Sequence, residues 1–120
     1  YSQAVRDVVV ALMIEKGGAV DDIDEILAIP GLDMIQWGPS DYGMSTGKAG
    51  SPGVNEARDR VYEAALASDV IPRAEINTAD DAKRWLDIGV RHFCMAAEVG
   101  ILRQWWSTNG DNMRKALEGK

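Results

Sequence analysis

The feature that most restricts the fold of this chain is a regular alternation of short apolar runs with amphipathic segments. "VVVALMIE" (Val8 to Glu15), "LDMIQWG", "VIPRAEIN" and "VRHFCMAAE" are rich in apolar and β-branched residues and read as buried strands. Helical spacing follows each of them. Val20, Ile23, Ile26 and Leu27 share a face in "AVDDIDEILAIPG", where acids crowd the first turn and Pro30-Gly31 stops the helix. After a loop, "PSDYGMSTGKAGSPG", an apolar stripe of Val54, Ala57, Val61, Ala64 and Ala65 predicts a helix over Val54 to Ala67. Thr78 reads as the N-cap of "ADDAKRWLDIG" and Gly89 as its C-cap. "GILRQWW…MRKAL" reads as a final helix or a pair of helical pieces interrupted at Asn109-Gly110.

An order of β-α-β-α-β-α-β-α implies parallel strands joined by right-handed crossovers. Four units with a repeat of roughly thirty residues make either half of an eightfold barrel or a small open sheet. Pro72 weakens the third strand, since proline cannot donate to a ladder. The 120 residues suffice for one domain with a real core and not for two, and residues 1–120 are read as one partial domain. The chain begins at Tyr1 without Met, as though in the middle of something.

Composition excludes several function classes. A net charge of −6, with acids spread along the chain, argues against a nucleic-acid surface. The sequence has no run of about 18 apolar residues and no leader pattern, so neither a membrane span nor a signal peptide is expected. The single cysteine, Cys94, allows no internal disulfide and fits a reducing cytoplasm. Its place in "HFCMAA" predicts a buried structural thiol.

In parallel α/β architectures ligands bind at the carboxyl ends of the strands. Those ends here carry Glu15, the turn Gly38-Pro39-Ser40-Asp41, Glu75-Ile76-Asn77 and Ala97-Glu98. Glu15 and Asp41 stand one βα unit apart, on neighbouring strand ends of the same rim. Two hard oxygen ligands so placed, with water and a chelating substrate, suit Mg²⁺ or Mn²⁺. The same acids at the same spacing also suit helix caps or partners of Lys16, Lys48 or Arg73. Gly38 allows close approach of a ligand to the backbone, and Pro39 restricts the turn. The N–H groups of Ser40 and Asp41 are then available to a carboxylate. An ordinary strand-to-helix turn uses the same residues. Trp37, immediately before Gly38, is expected on the pocket wall. His92, inside a strand, reads as a structural histidine, and Trp85, Trp105 and Trp106 as core or interface residues.

The stretch "MIEKGGAVDDIDEILAIPGLDMIQWGPSDYGMSTG" resembles the HpcH/HpaI-type class II aldolases of the citrate lyase β-subunit-like, phosphoenolpyruvate-pyruvate superfamily. Ile14-Glu15, Pro30-Gly31-Leu32-Asp33 and Gly38-Pro39-Ser40-Asp41 match its pattern in order and spacing. "INTADDAKRWLDIGVRHFCMAAEVGILRQ" is similar to its seventh and eighth strands. The resemblance implies the C-terminal half, strands five to eight, of a (β/α)8 TIM barrel, with Tyr1 in the helix before strand five. It implies a lyase that makes or breaks carbon–carbon bonds between an aldehyde and a pyruvate-like 2-oxo acid through an enolate. Glu15 and Asp41 would then be ligands of a divalent metal, Mg²⁺, Mn²⁺ or Co²⁺. Gly38, Pro39, Ser40, Asp41 and Trp37 would bind substrate. A homo-oligomer that swaps its last helix is implied as well.

Three positions depart from the family pattern. Tyr42 stands where Leu is usual, Lys16 where a small hydroxyl residue is frequent, and "RAEIN" where a small, glycine-containing stretch is usual. The arginine and histidine of the family's chemistry come from the first half of its barrel and have no match here, so no catalytic residue is assigned and the chain alone is expected to lack appreciable aldolase activity. A second class of function is therefore open: a non-catalytic half-barrel that pairs with another half through its open sheet edges. A small open-sheet binding domain is disfavoured by Pro72 and by the barrel-type motifs.

Overall fold

In the computed structural model, which describes residues 2–118, a single sheet of four parallel strands runs in the order β1-β2-β3-β4. The strands are β1 (Ala11–Ile14), β2 (Met34–Trp37), β3 (Ile71–Ile76) and β4 (His92–Met95). The helices are α1 (Ser2–Arg6), α2 (Gly17–Asp21), α3 (Ile23–Leu27), α4 (Pro39–Thr46), α5 (Pro52–Leu66), α6 (Ala79–Ile88) and α7 (Glu98–Glu118). Tyr1 lies outside the described residues. Sequential order in a parallel sheet is the arrangement expected of four consecutive barrel units. No helix among the described residues is long and apolar enough to cross a membrane.

The core lies between one face of the sheet and its helices. Ile14, Ile35, Trp37, Ala74 and Ile76 point to that face and are buried. They meet Ala57, Val61, Tyr62 and Ala65 of α5, with Val54 and Ala64 packed at the margin, so the predicted stripe is the buried one. Trp85 of α6 is buried as expected, its ring 4.6 Å from that of Tyr62. Thr78 and Asp81 form a capping box on α6, and Gly89 closes that helix at φ +107.

Four local expectations are revised. β1 is shorter than the apolar run suggested, and Val8, Val9 and Val10 are exposed. The Asp33 carboxylate accepts the Val10 N–H at 2.7 Å, while the Val10 carbonyl accepts from Asp33 and Met34. Asp33 of the Pro-Gly-Leu-Asp motif is thereby a strap at the base of the sheet. The first amphipathic helix is two short ones broken at Asp22, whose φ of −94 and ψ of 19 leave the helical range. The loop after Gly38 contains α4, which starts on proline at its first position. Pro72 sits inside β3 without weakening the pairing. Ile71 donates to the Asp33 carbonyl just before β2, so the missing Pro72 N–H faces the other side, and the β3–β4 ladder begins only at Arg73.

The last helix is continuous through Asn109-Gly110 and buries none of its residues. Its projection gives extents of 65 × 44 × 28 Å and a radius of gyration of 18.9 Å, against about 14 Å for a compact chain of this size. Trp105 and Trp106 are accordingly 54% and 67% exposed, rather than core residues.

Candidate functional site

The strand register sorts the sheet's other, uncovered face into rows. Met13, Gln36, Arg73 and His92 are paired in sequence across all four strands. Two residues further along each strand come Glu15, Gly38, Glu75 and Cys94, the last two directly paired. This second row is the carboxyl-end rim. Gly38 therefore stands between two carboxylate-bearing strands and contributes no side chain of its own.

Glu15 folds against that gap. A β-carbon on Gly38 would meet Glu15 Cβ at 2.8 Å, Glu15 Oε2 at 3.1 Å and Met13 Cγ at 3.1 Å. The φ of Gly38 is −110, which any residue adopts, so what the position requires is space. α4 then rises from the rim with Pro39 at its first position, Ser40 at its second and Asp41 at its third. The Tyr42 N–H reaches back to the Gly38 carbonyl at 3.0 Å. The Ser40 and Asp41 N–H groups precede that first helical bond and have no acceptor among the described residues. One turn on, Ser45 Oγ donates to the Glu15 carbonyl at 3.4 Å. Asp41 lies four residues before Ser45, so it shares the face of α4 that looks toward Glu15. Neither Glu15 nor Asp41 is paired with Lys16, Lys48 or Arg73 among the described residues, and neither caps a helix through its side chain.

Glu15 and Asp41 are hard oxygen donors with no competing partner, and they fit an ion that fills its remaining positions from water and substrate. No group of three or more His, Cys, Asp or Glu side chains is gathered for a metal among the described residues.

Below the rim lies a polar chain that sequence reasoning did not assemble. Arg73 Nε donates to Gln36 Oε1 at 2.6 Å, and Gln36 Nε2 donates to Glu75 Oε1. Gln36 is 3% exposed, so both ends of its amide are satisfied inside the sheet. On the covered face, the Tyr62 hydroxyl donates to the Arg73 carbonyl at 2.9 Å. Burial pushes the Tyr62 phenol up to about 12; the Trp37 backbone opposes the shift and the nearby Glu75 charge adds to it. Tyr62 is thus a fixed donor, not a proton carrier, near neutrality.

Trp37 lies on the opposite face from Glu15, its ring 4.8 Å from that of Tyr42 and tilted 48° to it. With Pro39, Tyr62, Glu75, Trp85 and Cys94 it lines a cleft of about 450 Å³ at the ends of β2, β3 and β4, which Glu15 and Asp41 do not line. Cys94 is half-buried there, not sealed in the core, because β4 is an edge strand with one open face. His92 is exposed on the same edge. Ala96, beyond β4, holds φ +54, a strained value for a residue with a Cβ, at the mouth of this cleft.

Comparisons with known proteins identify the family and the fold. The profile of the HpcH/HpaI aldolase/citrate lyase family matches residues 2–98. The chain is 28% identical over 118 residues to the 5-keto-4-deoxy-D-glucarate aldolase of Enterobacter sp. (strain 638), covering 96% of this chain and 46% of that protein. It therefore spans about half the length of the curated relatives it matches. Its fold superposes on an HpcH/HpaI aldolase/citrate lyase family protein from Burkholderia cenocepacia J2315 with a TM-score of 0.79 at 27% identity, over 94% of this chain and 45% of that one. Citrate synthase SbnG gives a TM-score of 0.80 at 25% identity, over 96% and 49%. Four parallel βα units that cover about half of each such chain are half of a (β/α)8 barrel.

Proposed function

This chain belongs to the HpcH/HpaI aldolase/citrate lyase family, and from that premise we propose that it carries the metal and carboxylate site of a divalent-metal-dependent carbon–carbon lyase acting on 2-oxo acids. Residues 1–120 are read as a single partial domain of that enzyme, working in the cytoplasm on a pyruvate-like 2-oxo acid and an aldehyde. The observation that carries the reading is the junction of Glu15 with the α4 N-terminus: the acid packs into the space left by Gly38, and two free N–H groups stand beside it.

In this reading Glu15 and Asp41 hold the cation, Mg²⁺, Mn²⁺ or Co²⁺. When bound, such an ion supplies Lewis acidity toward the 2-oxo group. The Ser40 and Asp41 N–H groups bind the substrate carboxylate, assisted by the positive end of the α4 dipole. Pro39 has no N–H to offer and fixes the direction of those two. Gly38 keeps the floor of the site open, and Trp37 braces the turn from the covered face through its tilted ring contact with Tyr42. The arginine and histidine that the family resemblance assigns to enolate stabilisation and proton transfer have no match in this chain.

Titration of Mn²⁺ into the purified protein, with and without pyruvate or oxalate, tests the reading. Binding that tightens with the oxo acid and disappears in Glu15→Gln and Asp41→Asn supports it. Affinity unchanged in both variants overturns it.

A second reading is favoured by one specific observation. α7 presents Val99, Ile101, Leu102, Trp105 and Trp106 to solvent, and a 21-residue helix with no buried residue lacks the tertiary packing from which most helical stability comes. It supports a homo-oligomer in which α7 packs on a neighbouring subunit, whether or not this half-barrel is catalytic.

A further inference from the structure

We propose that Arg73 is an anion clamp that selects substrates carrying a second carboxylate. The proposal rests on the rim being a 2-oxo acid site and adds the chemistry of the substrate's far end. Arg73 occupies the row beneath the rim, on the uncovered face of β3, because its neighbours Pro72 and Ala74 are buried on the other face. Its Nε is committed to Gln36 Oε1 at 2.6 Å, and that amide cannot turn, since its other end donates to Glu75. The guanidinium is therefore held from one edge. Its Nη groups make no ion pair and no hydrogen bond with any described residue. The Gln36 amide stands between Arg73 and Glu75, so the obvious internal counter-ion is engaged elsewhere.

A half-buried cation without a counter-ion is costly, and a fixed guanidinium edge offers two parallel donors matched to a carboxylate. The substrate's first carboxylate cannot be the one it meets. That group is assigned to the N–H pair of α4 above the rim, at the end of β2, whereas Arg73 on neighbouring β3 lies one row beneath the rim, two residues or roughly 6–7 Å down the strand. Gly38 places no side chain along that path. A carbon chain that begins at α4 thus reaches Arg73 with its distal end.

The test compares two oxo acids of equal chain length, 2-oxoglutarate and 2-oxopentanoate, titrated in the presence of Mn²⁺. The first is expected to bind about ten- to a hundredfold more tightly. Arg73→Gln should erase that preference and leave 2-oxopentanoate unchanged, while Arg73→Lys should keep part of it. Equal binding of the two acids by the unmodified protein, or a preference that survives Arg73→Gln, overturns the proposal. If neither acid responds to Mn²⁺, the 2-oxo acid reading fails, and the clamp is then read without metal. Titrating glutarate against the Arg73 Nε–H NMR signal decides it: a saturable shift upholds the clamp, and an unmoved signal overturns it.

Discussion

Gly38 and Glu15 occupy one another's space: a β-carbon on Gly38 would lie 2.8 Å from Glu15 Cβ and 3.1 Å from its Oε2. The rim of the sheet is thus built around a missing side chain. Because the φ of Gly38 is −110, the cost of Gly38→Ala is steric alone. It is expected at about 1–3 kcal/mol, relieved in part by displacing Glu15. Gly43→Ala is the matched control, since its β-carbon would crowd the Ala49 backbone at 2.9 Å, away from Glu15. Both variants should lower the urea midpoint, but only Gly38→Ala should weaken Mn²⁺ binding tenfold or more. Equal Mn²⁺ affinity in the two would detach Glu15 from the site.

Glu15→Gln and Asp41→Asn should separate binding from stability. Neither acid has an ion pair among the described residues, so neutralising either leaves no orphaned partner. Asp41 sits in the first turn of α4, where its charge contributes about 0.3–1 kcal/mol through the helix dipole. Denaturant melts should accordingly move by no more than about 1 kcal/mol, while calorimetric Mn²⁺ binding vanishes. A large loss of stability with binding retained would assign both acids to the scaffold.

Gln36→Leu removes a buried amide that satisfies two charged groups at once. Hydrogen bonds to charged groups are worth about 1.5–3 kcal/mol each, and part of that is recovered because Arg73 and Glu75 lie nearer solvent. A net loss of about 1–3 kcal/mol in urea unfolding is expected. An unchanged midpoint would mean that the chain from Arg73 to Glu75 contributes nothing to the fold.

That chain also shows where the sequence stops being legible. The α5 stripe and the Thr78 and Gly89 caps are local patterns, and each is where periodicity and capping chemistry place it, while the strands fall within the apolar runs, β1 shorter than its own. Gln36 reads in sequence as one polar residue in an apolar run. Its partners are 37 and 39 residues away, and only the register of β2 against β3 brings them together. α4 escaped for a different reason. Gly43 and a polar first turn hide its periodicity, and the signal that marks it is Pro39 at the first helical position. Pro72 misled because propensity counts a proline against a strand without knowing which side its missing N–H faces.

Tyr62 sets a stability limit at high pH. Its folded pKa is raised to about 12 by burial, above the unfolded value of 10.0. The folded state therefore holds the proton more tightly, and the associated stability is complete below pH 10 and lost between pH 10 and 12. At about 1.4 kcal/mol per unit the loss is roughly 2–3 kcal/mol. Tyr62→Phe should lower stability near neutrality by removing the bond to the Arg73 carbonyl, and should flatten the decline above pH 10 relative to the unmodified chain. Parallel pH profiles for the two proteins would refute the assignment.

α7 makes the strongest claim on a partner. Its Trp105 and Trp106 rings stand 4.7 Å apart at right angles and are both mostly exposed, beside Ile101 and Leu102 at 55% and 56%. Aromatic and aliphatic groups gathered on one projecting helix are the composition of an interface core. Trp105→Glu together with Trp106→Glu should therefore lower the mass measured by analytical ultracentrifugation without reducing the content of β-sheet. The double variant should also lose helical signal, because α7 buries none of its described residues within its own chain and so lacks the packing that would hold it folded once the neighbour is gone. A protein that sediments as a monomer before substitution, with α7 fully helical, would show that the helix needs no second subunit.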